Sequence, residues 1–260
     1  MTPRIPEDLV AEITCHLRAD KATLRKCSTV SSRWLHYSRK QLFCQLSVRS
    51  RGGTLRFQRF LSFIQRSPSI ASCIMRLELS WSPESSLGVW DASGAIIISP
   101  TLIGTIARCL PSLQAIVLRG LQFCPNSITE PSGSPPVQLD NVTLHDVFAS
   151  AASLSTTLSL FTIRHLSMLQ CSERGATLGA IERPRMTLIQ LRSLKLIGAE
   201  TNAFAQPIKD SLRKNSLEQL EVGISNVEHI LTVGGLVAKS VDSLRNITID
   251  IRSLELYSGT

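Results

Sequence analysis

The residues able to do chemistry in this 260-residue chain are present but spaced wrongly for it. Histidine is the usual ligand of a metal site, and two on one helical turn commonly begin one. The five here (16, 36, 145, 165 and 229) form neither H-x-x-x-H nor H-E-x-x-H. Seven cysteines (15, 27, 44, 73, 109, 124 and 171) contain no C-x-x-C pair. A zinc ribbon and a disulfide framework are therefore not expected, and the odd thiol points to a reducing compartment. No G-x-S-x-G elbow is present to raise a serine nucleophile. The run Gly234-Gly235-Leu236-Val237-Ala238-Lys239-Ser240 has alanine where a phosphate loop needs glycine before its lysine. Asn141-Val142-Thr143 and Asn246-Ile247-Thr248 match a glycosylation sequon but fall on expected strands. The expectation is a protein without catalysis of its own, without a cofactor and without a metal site.

What must position any binding surface is a folded chain. With 43% hydrophobic and 18% charged residues, disorder is excluded. Residues 92–107 and 147–163 are uncharged and approach spanning length, but Gly94, Pro100 and Gly104 break the first and a run of Ser and Thr dilutes the second. Neither is expected to enter a membrane. The opening Met-Thr-Pro-Arg-Ile-Pro-Glu-Asp is not a secretory signal, so a cytoplasmic or nuclear location is expected. The net charge of +8 is concentrated: residues 1–70 hold thirteen Lys or Arg against four acids, and residues 71–260 hold fifteen against sixteen. Such a block steers the protein to an acidic partner. Only Trp34 and Tyr37 accompany it as Trp or Tyr, so it lacks the stacking platform of a nucleic-acid binder, and an acidic protein surface is the preferred partner.

The basic block predicts short helices over 5–43. Pro6 suits a first helical position, and Glu7 and Asp8 follow at the positive end of the helix dipole. Leu9, Val10, Ile13 and Leu17 form an apolar stripe. Asp20 is placed to cap a second helix holding Leu24 and Cys27, and Ser31 or Ser32 a third carrying Trp34 and Leu35. About forty residues bury too little of their own surface to stand alone. The segment is either a cap on the rest of the chain or a docking module completed by another protein.

The spacing Ile5-Pro6-x-x-Leu9-Val10-x-x-Ile13-x-x-x-Leu17, then Asp20, Leu24, Cys27-Ser28-x-Val30-Ser31 and Trp34, resembles an F-box of the form found in large fungal families. Thr29 departs from it, standing where the family usually has Leu. The resemblance implies docking on the Skp adaptor of an SCF ubiquitin ligase and, through it, on a cullin. Its carried-over contacts are Ile5, Pro6, Leu9, Val10, Ile13, Leu17, Leu24, Val30 and Trp34. The adaptor is acidic in this family, which agrees with the basic block.

The remainder repeats one element, apolar-x-x-apolar-x-apolar. It occurs at Ile74/Leu77/Leu79, Leu113/Ile116/Leu118, Leu139/Val142/Leu144, Ile163/Leu166/Met168, Leu191/Leu194/Leu196, Leu217/Leu220/Val222 and Leu244/Ile247/Ile249, with Phe43/Leu46/Val48 as an eighth copy. The last apolar positions step by 39, 26, 24, 28, 26 and 27 residues, and five of the six fit the template and period of leucine-rich repeats. Residues 54–67, 101–110, 202–214 and 226–243 have helical patterning between the strands. The 54–79 segment also resembles the first repeat of fungal F-box proteins. The long step predicts a surface loop over Trp81–Ser99, and Pro131–Pro136 a second loop. Only Cys171 occupies the position where such repeats place Asn or Cys to satisfy turn amides, so the turns need another device.

The predicted fold is thus α/β: an N-terminal three-helix F-box over residues 1–45, then an irregular leucine-rich-repeat-like solenoid with a parallel sheet over 46–260. Positions alternating with the core face outward, among them Arg76, Glu78, Val117, Arg119, Asn141, His165, Lys195 and Glu221. These are the candidates for recruiting an unknown protein substrate. The expected role is a substrate receptor of an SCF-type ligase, and the alternative is a repeat scaffold for protein–protein interaction outside any ligase.

Overall fold

The structure is a computed structural model, and the residues it describes are 5–81, 95–124, 135–173, 191–198, 204–224 and 227–251. It opens with helices α1 (Glu7–His16), α2 (Lys21–Cys27) and α3 (Ser32–Phe43). Pro6 stands one position earlier than expected, at the N-cap of α1, with its carbonyl accepting from the Val10 amide. Asp20 caps α2 by accepting from the amides of Ala22 and Thr23. The Thr23 hydroxyl adds a 2.6 Å bond, and these bonds hold the carboxyl below its usual pKa, the hydroxyl contributing most. Ser31 caps α3 by accepting from the Trp34 amide.

Strand β1 (Gln45–Ser50) follows, then α4 (Leu55–Arg66), α5 (Pro68–Ala71) and β2 (Arg76–Trp81). The next stretch holds β3 (Ile96–Ile98), α6 (Pro100–Arg108), β4 (Ala115–Arg119), β5 (Leu121–Phe123), β6 (Val137–His145) and β7 (Phe148–Ala149). It continues through α7 (Ala151–Ser159), β8 (Phe161–Leu169), β9 (Ser172–Glu173) and β10 (Ser193–Ile197). Last come α8 (Ala205–Ser211), β11 (Gln219–Gly223), α9 (Val227–Lys239) and β12 (Asn246–Asp250).

Among the described residues eight strands form one sheet in the order β1-β2-β4-β6-β8-β10-β11-β12, every pairing parallel. Two rows of apolar side chains cross it in register. One is Leu46, Leu77, Ile116, Val142, Leu166, Leu194, Leu220 and Ile247, and the other runs from Val48 through Leu79, Leu118, Leu144, Met168, Leu196 and Val222 to Ile249. These rows explain the repeated template: each strand presents two apolar residues, two positions apart, to a common interior. The buried core runs from Phe57 of α4 to Leu236 of α9, with Ile103 and Ile106 of α6, Leu154 and Leu158 of α7 and Ile208 of α8 facing the rows. The first helices stand apart from it. α1 and α2 pack on α3, and α3 meets α5 and β1, with Phe43 reaching the main core.

Three features differ from the sequence expectation. A second parallel sheet, β3-β5-β7-β9, runs beside the first. The end of the expected Trp81–Ser99 loop belongs to it as β3, where Ile96 and Ile98 are buried; residues 82–94 lie outside the described residues. Of the Pro131–Pro136 loop only residues 135 and 136 are described, and both are exposed. The chain also forms a helix, α7, in the Ser/Thr-rich stretch. Ser150 and Ser153 cap it reciprocally, and Thr156, Thr157 and Ser159 donate to carbonyls three or four residues back.

The turns from one sheet to the other use a left-handed residue. Gly120, Asp146 and Gln170 have φ of 65°, 52° and 53° and directly follow β4, β6 and β8. Their amides donate to His145, Leu169 and Ile197, each a carbonyl of the neighbouring strand, so the ladder itself satisfies the corner. Of the positions where such repeats place Asn or Cys, those after β4 and β6 hold buried Leu121 and Val147, and the one after β8 holds buried Cys171. The Cys171 thiol approaches the Leu144 and Leu169 carbonyls at 3.7 Å, and burial pushes it up to about 12.

Candidate partner-docking surfaces

α1 divides its apolar residues between two faces. Ile5, just before the helix, and Leu9 and Ile13 within it recur every four residues and are 47%, 48% and 40% exposed. Val30, in the turn between α2 and α3, is 67% exposed. Pro6 is exposed beside them, and Leu17 and Trp34 are half-buried. Val10 and Leu24 correct the sequence-based list. Both are buried, with Thr14 and Ser38, inside the packing of the first three helices, so they hold the module together and cannot meet a partner. The sequence could not separate the faces, because Leu9 and Val10 are adjacent in one stripe. The module is pinned at its start: Tyr37 Oη donates to Glu7 at 2.9 Å, and Arg33 reaches the Ile5 carbonyl at 3.3 Å. The Glu7 bond raises the Tyr37 pKa above its ordinary value. At the departure from the family pattern, the Thr29 hydroxyl donates to the Lys26 carbonyl and closes α2.

The basic block keeps its charge. Among the described residues, no Lys or Arg of the first seventy makes an ion pair, since Glu12 lies near His16 and the ion pairs of Asp140, Glu218 and Glu221 are with Arg164, Arg192 and Lys195. Lys21 and Arg56 donate only to the carbonyls of Gln41 and Arg49.

The outward face of the larger sheet carries two polar rows. Arg76, Asn141 and His165 share one with Gln45, Ala115, Ser193, Gln219 and Asn246. Glu78, Lys195 and Glu221 share the other with Ser47, Val117, Thr143, Ser167 and Thr248. Val117 is buried despite its outward position. The face hollows into a groove of about 630 Å³ that brings together Asn141, His165, Lys195 and Glu221 among the expected residues. Arg76, Glu78 and Arg119 lie outside that groove. Lys195 and Glu221 neutralise one another, so the groove presents amides and hydroxyls more than charge. A pair missed by the sequence reading lies at the end of β6, where His145 Nδ1 and Asp146 Oδ2 are 2.6 Å apart; adjacency in sequence was its only signal.

Among the described residues no group of three or more His, Cys, Asp or Glu is arranged to hold a metal ion, and no helix is long and apolar enough to cross a membrane. The run Gly234–Lys239 lies in α9, where Lys239 donates to the Lys209 carbonyl at 2.6 Å and helps close α8. None of the family models compared with the chain matches it, and no curated protein matches it either.

Proposed function

We propose that this chain is the substrate-recognition subunit of an SCF-type ubiquitin ligase. The reading takes α1–α3 as an F-box that docks on the Skp adaptor, and through it on a cullin, and the rest as a leucine-rich-repeat-like solenoid that holds a protein target. One observation carries it. Ile5, Leu9, Ile13 and Val30 stay exposed on a module whose Val10 and Leu24 are already buried, so the apolar face is surplus to the module's own folding. Large exposed apolar groups arranged together are what a docking surface requires. The unpaired cations around them favour an acidic partner and raise its association rate. The outward groove is the surface for the target, and ubiquitin transfer follows from proximity, with the reactive thiol on another protein. The place of action is the cytoplasm, the nucleus or both.

Co-purification of the tagged chain tests this. The wild type is expected to recover a Skp adaptor and a cullin. A Leu9→Ala, Ile13→Ala variant is expected to lose about 2 kcal/mol or more of adaptor binding, roughly thirtyfold, with unchanged circular dichroism. Equal recovery of the adaptor by both proteins rejects the reading. Recovery of protein partners without adaptor or cullin supports a scaffold outside any ligase instead.

A further inference from the structure

A second hollow lies where the helical module meets the start of the larger sheet. Its volume is about 720 Å³, within the ordinary range of small-molecule sites. Three cations from three separate elements line it: Arg18 from the turn after α1, Lys40 from α3 and Arg76 from the start of β2. None of the three makes an ion pair or a side-chain hydrogen bond among the described residues. The one carboxylate in the lining among the described residues, Asp140, is bound to Arg164 at 2.9 Å and so is already neutralised. The remaining polar lining is neutral, chiefly glutamines such as Gln41 and Gln114 with Ser72 and Ser112, while Met75, Cys44 and Ala115 supply apolar wall. A concavity whose unpaired charges are all of one sign concentrates the field on whatever enters it.

We propose that this hollow binds a small multivalent phosphate ester with a hydroxyl-rich body. Two guanidinium groups and an ammonium match phosphate oxygens, the guanidiniums in bidentate fashion. The neutral amides and hydroxyls match a polar, uncharged remainder. Because the lining comes from α1, the turn after it and α3 on one side and from β1, β2, β4 and β6 on the other, the ligand bridges the module and the sheet. The inference rests on this lining alone and stands or falls independently of adaptor docking.

Cys15 and Cys73, the thiols of the same lining that are not buried, make the test direct, while Cys27 and Cys109 lie elsewhere and serve as internal controls. The full chain is alkylated with and without pyrophosphate, and each cysteine is followed by peptide mass spectrometry. At ten times its Kd, pyrophosphate leaves about one site in eleven empty, so alkylation of Cys15 and Cys73 is expected to slow about tenfold while Cys27 and Cys109 are unchanged. An Arg18→Gln, Arg76→Gln variant, altered only at exposed side chains, is expected to lose the protection and keep its circular dichroism. Protection by sodium chloride at matched ionic strength, or protection that persists in the variant, overturns the site. Equal protection by citrate overturns the choice of phosphate over carboxylate, and no protection by pyrophosphate overturns both.

Discussion

Lys195 and Glu221 face each other across adjacent parallel strands, Nζ to Oε1 at 2.7 Å, as register partners of β10 and β11. Both side chains are more than a third exposed, so solvent screens the attraction. The pair therefore contributes little to folding while occupying the middle of the outward groove.

A double-mutant cycle over Lys195→Ala and Glu221→Ala is expected to give a coupling of about 0.2–1 kcal/mol in urea unfolding, shrinking with added salt. Near-native stability of both single variants would make them clean probes of the groove. A coupling of several kcal/mol would show a pair far less screened than its exposure indicates.

Two members of one apolar row are expected to behave differently. Leu194 is fully buried on β10, an interior strand of the sheet, and Leu194→Ala is expected to cost about 2–5 kcal/mol. Ile247 lies on the same row but on the outermost strand and is 49% exposed, so Ile247→Ala is expected to cost about 1 kcal/mol or less. Chemical denaturation of the two variants measures the difference.

The left-handed corners predict substitutions of opposite sign. At Gly120 an added Cβ would sit 3.3 Å from the Trp81 carbonyl oxygen in a backbone conformation that side chains resist, and Gly120→Ala is expected to destabilise by about 1–2 kcal/mol or more. Gln170 already adopts φ of 53° with a side chain, so Gln170→Gly is expected to be neutral or stabilising by up to about 1 kcal/mol. Thermal unfolding of the two variants side by side checks the signs.

Cys171 predicts an alkaline limb to the stability curve. Its folded pKa, about 12, lies above the ordinary 9.0, so the native state keeps a proton that the unfolded chain releases. Its contribution is fully present below pH 9 and is lost as pH rises through the folded value. The limb is expected to fall by up to about 1.4 kcal/mol per pH unit from this group. Unfolding titrations of Cys171→Ala beside wild type isolate that slope, which the variant lacks.

The larger sheet was legible because its interior needs two apolar residues from every strand, and that demand repeats along the chain as a visible pattern. The smaller sheet was not, since strands such as Phe148–Ala149 are too short to carry any period. α7 was hidden for a different reason: serine and threonine disfavour helix interiors by propensity, yet Thr157 donates to the Ser153 carbonyl and Ser150 closes a reciprocal cap, supplying locally what propensity withholds. In the α1 stripe the residue types were readable, but burial of Val10 beside exposed Leu9 depends on where α3 packs. The Arg18, Lys40 and Arg76 hollow draws on positions far apart in the chain, and no local spacing announces it.

In the larger sheet each strand is paired only with its immediate neighbours, so the molecule has no single keystone. Opening at the outermost strand leaves the pairings near β1 intact, and loss of order proceeds strand by strand. Amide exchange should then rise in a gradient toward β12, and calorimetry should return a van't Hoff enthalpy smaller than the measured heat.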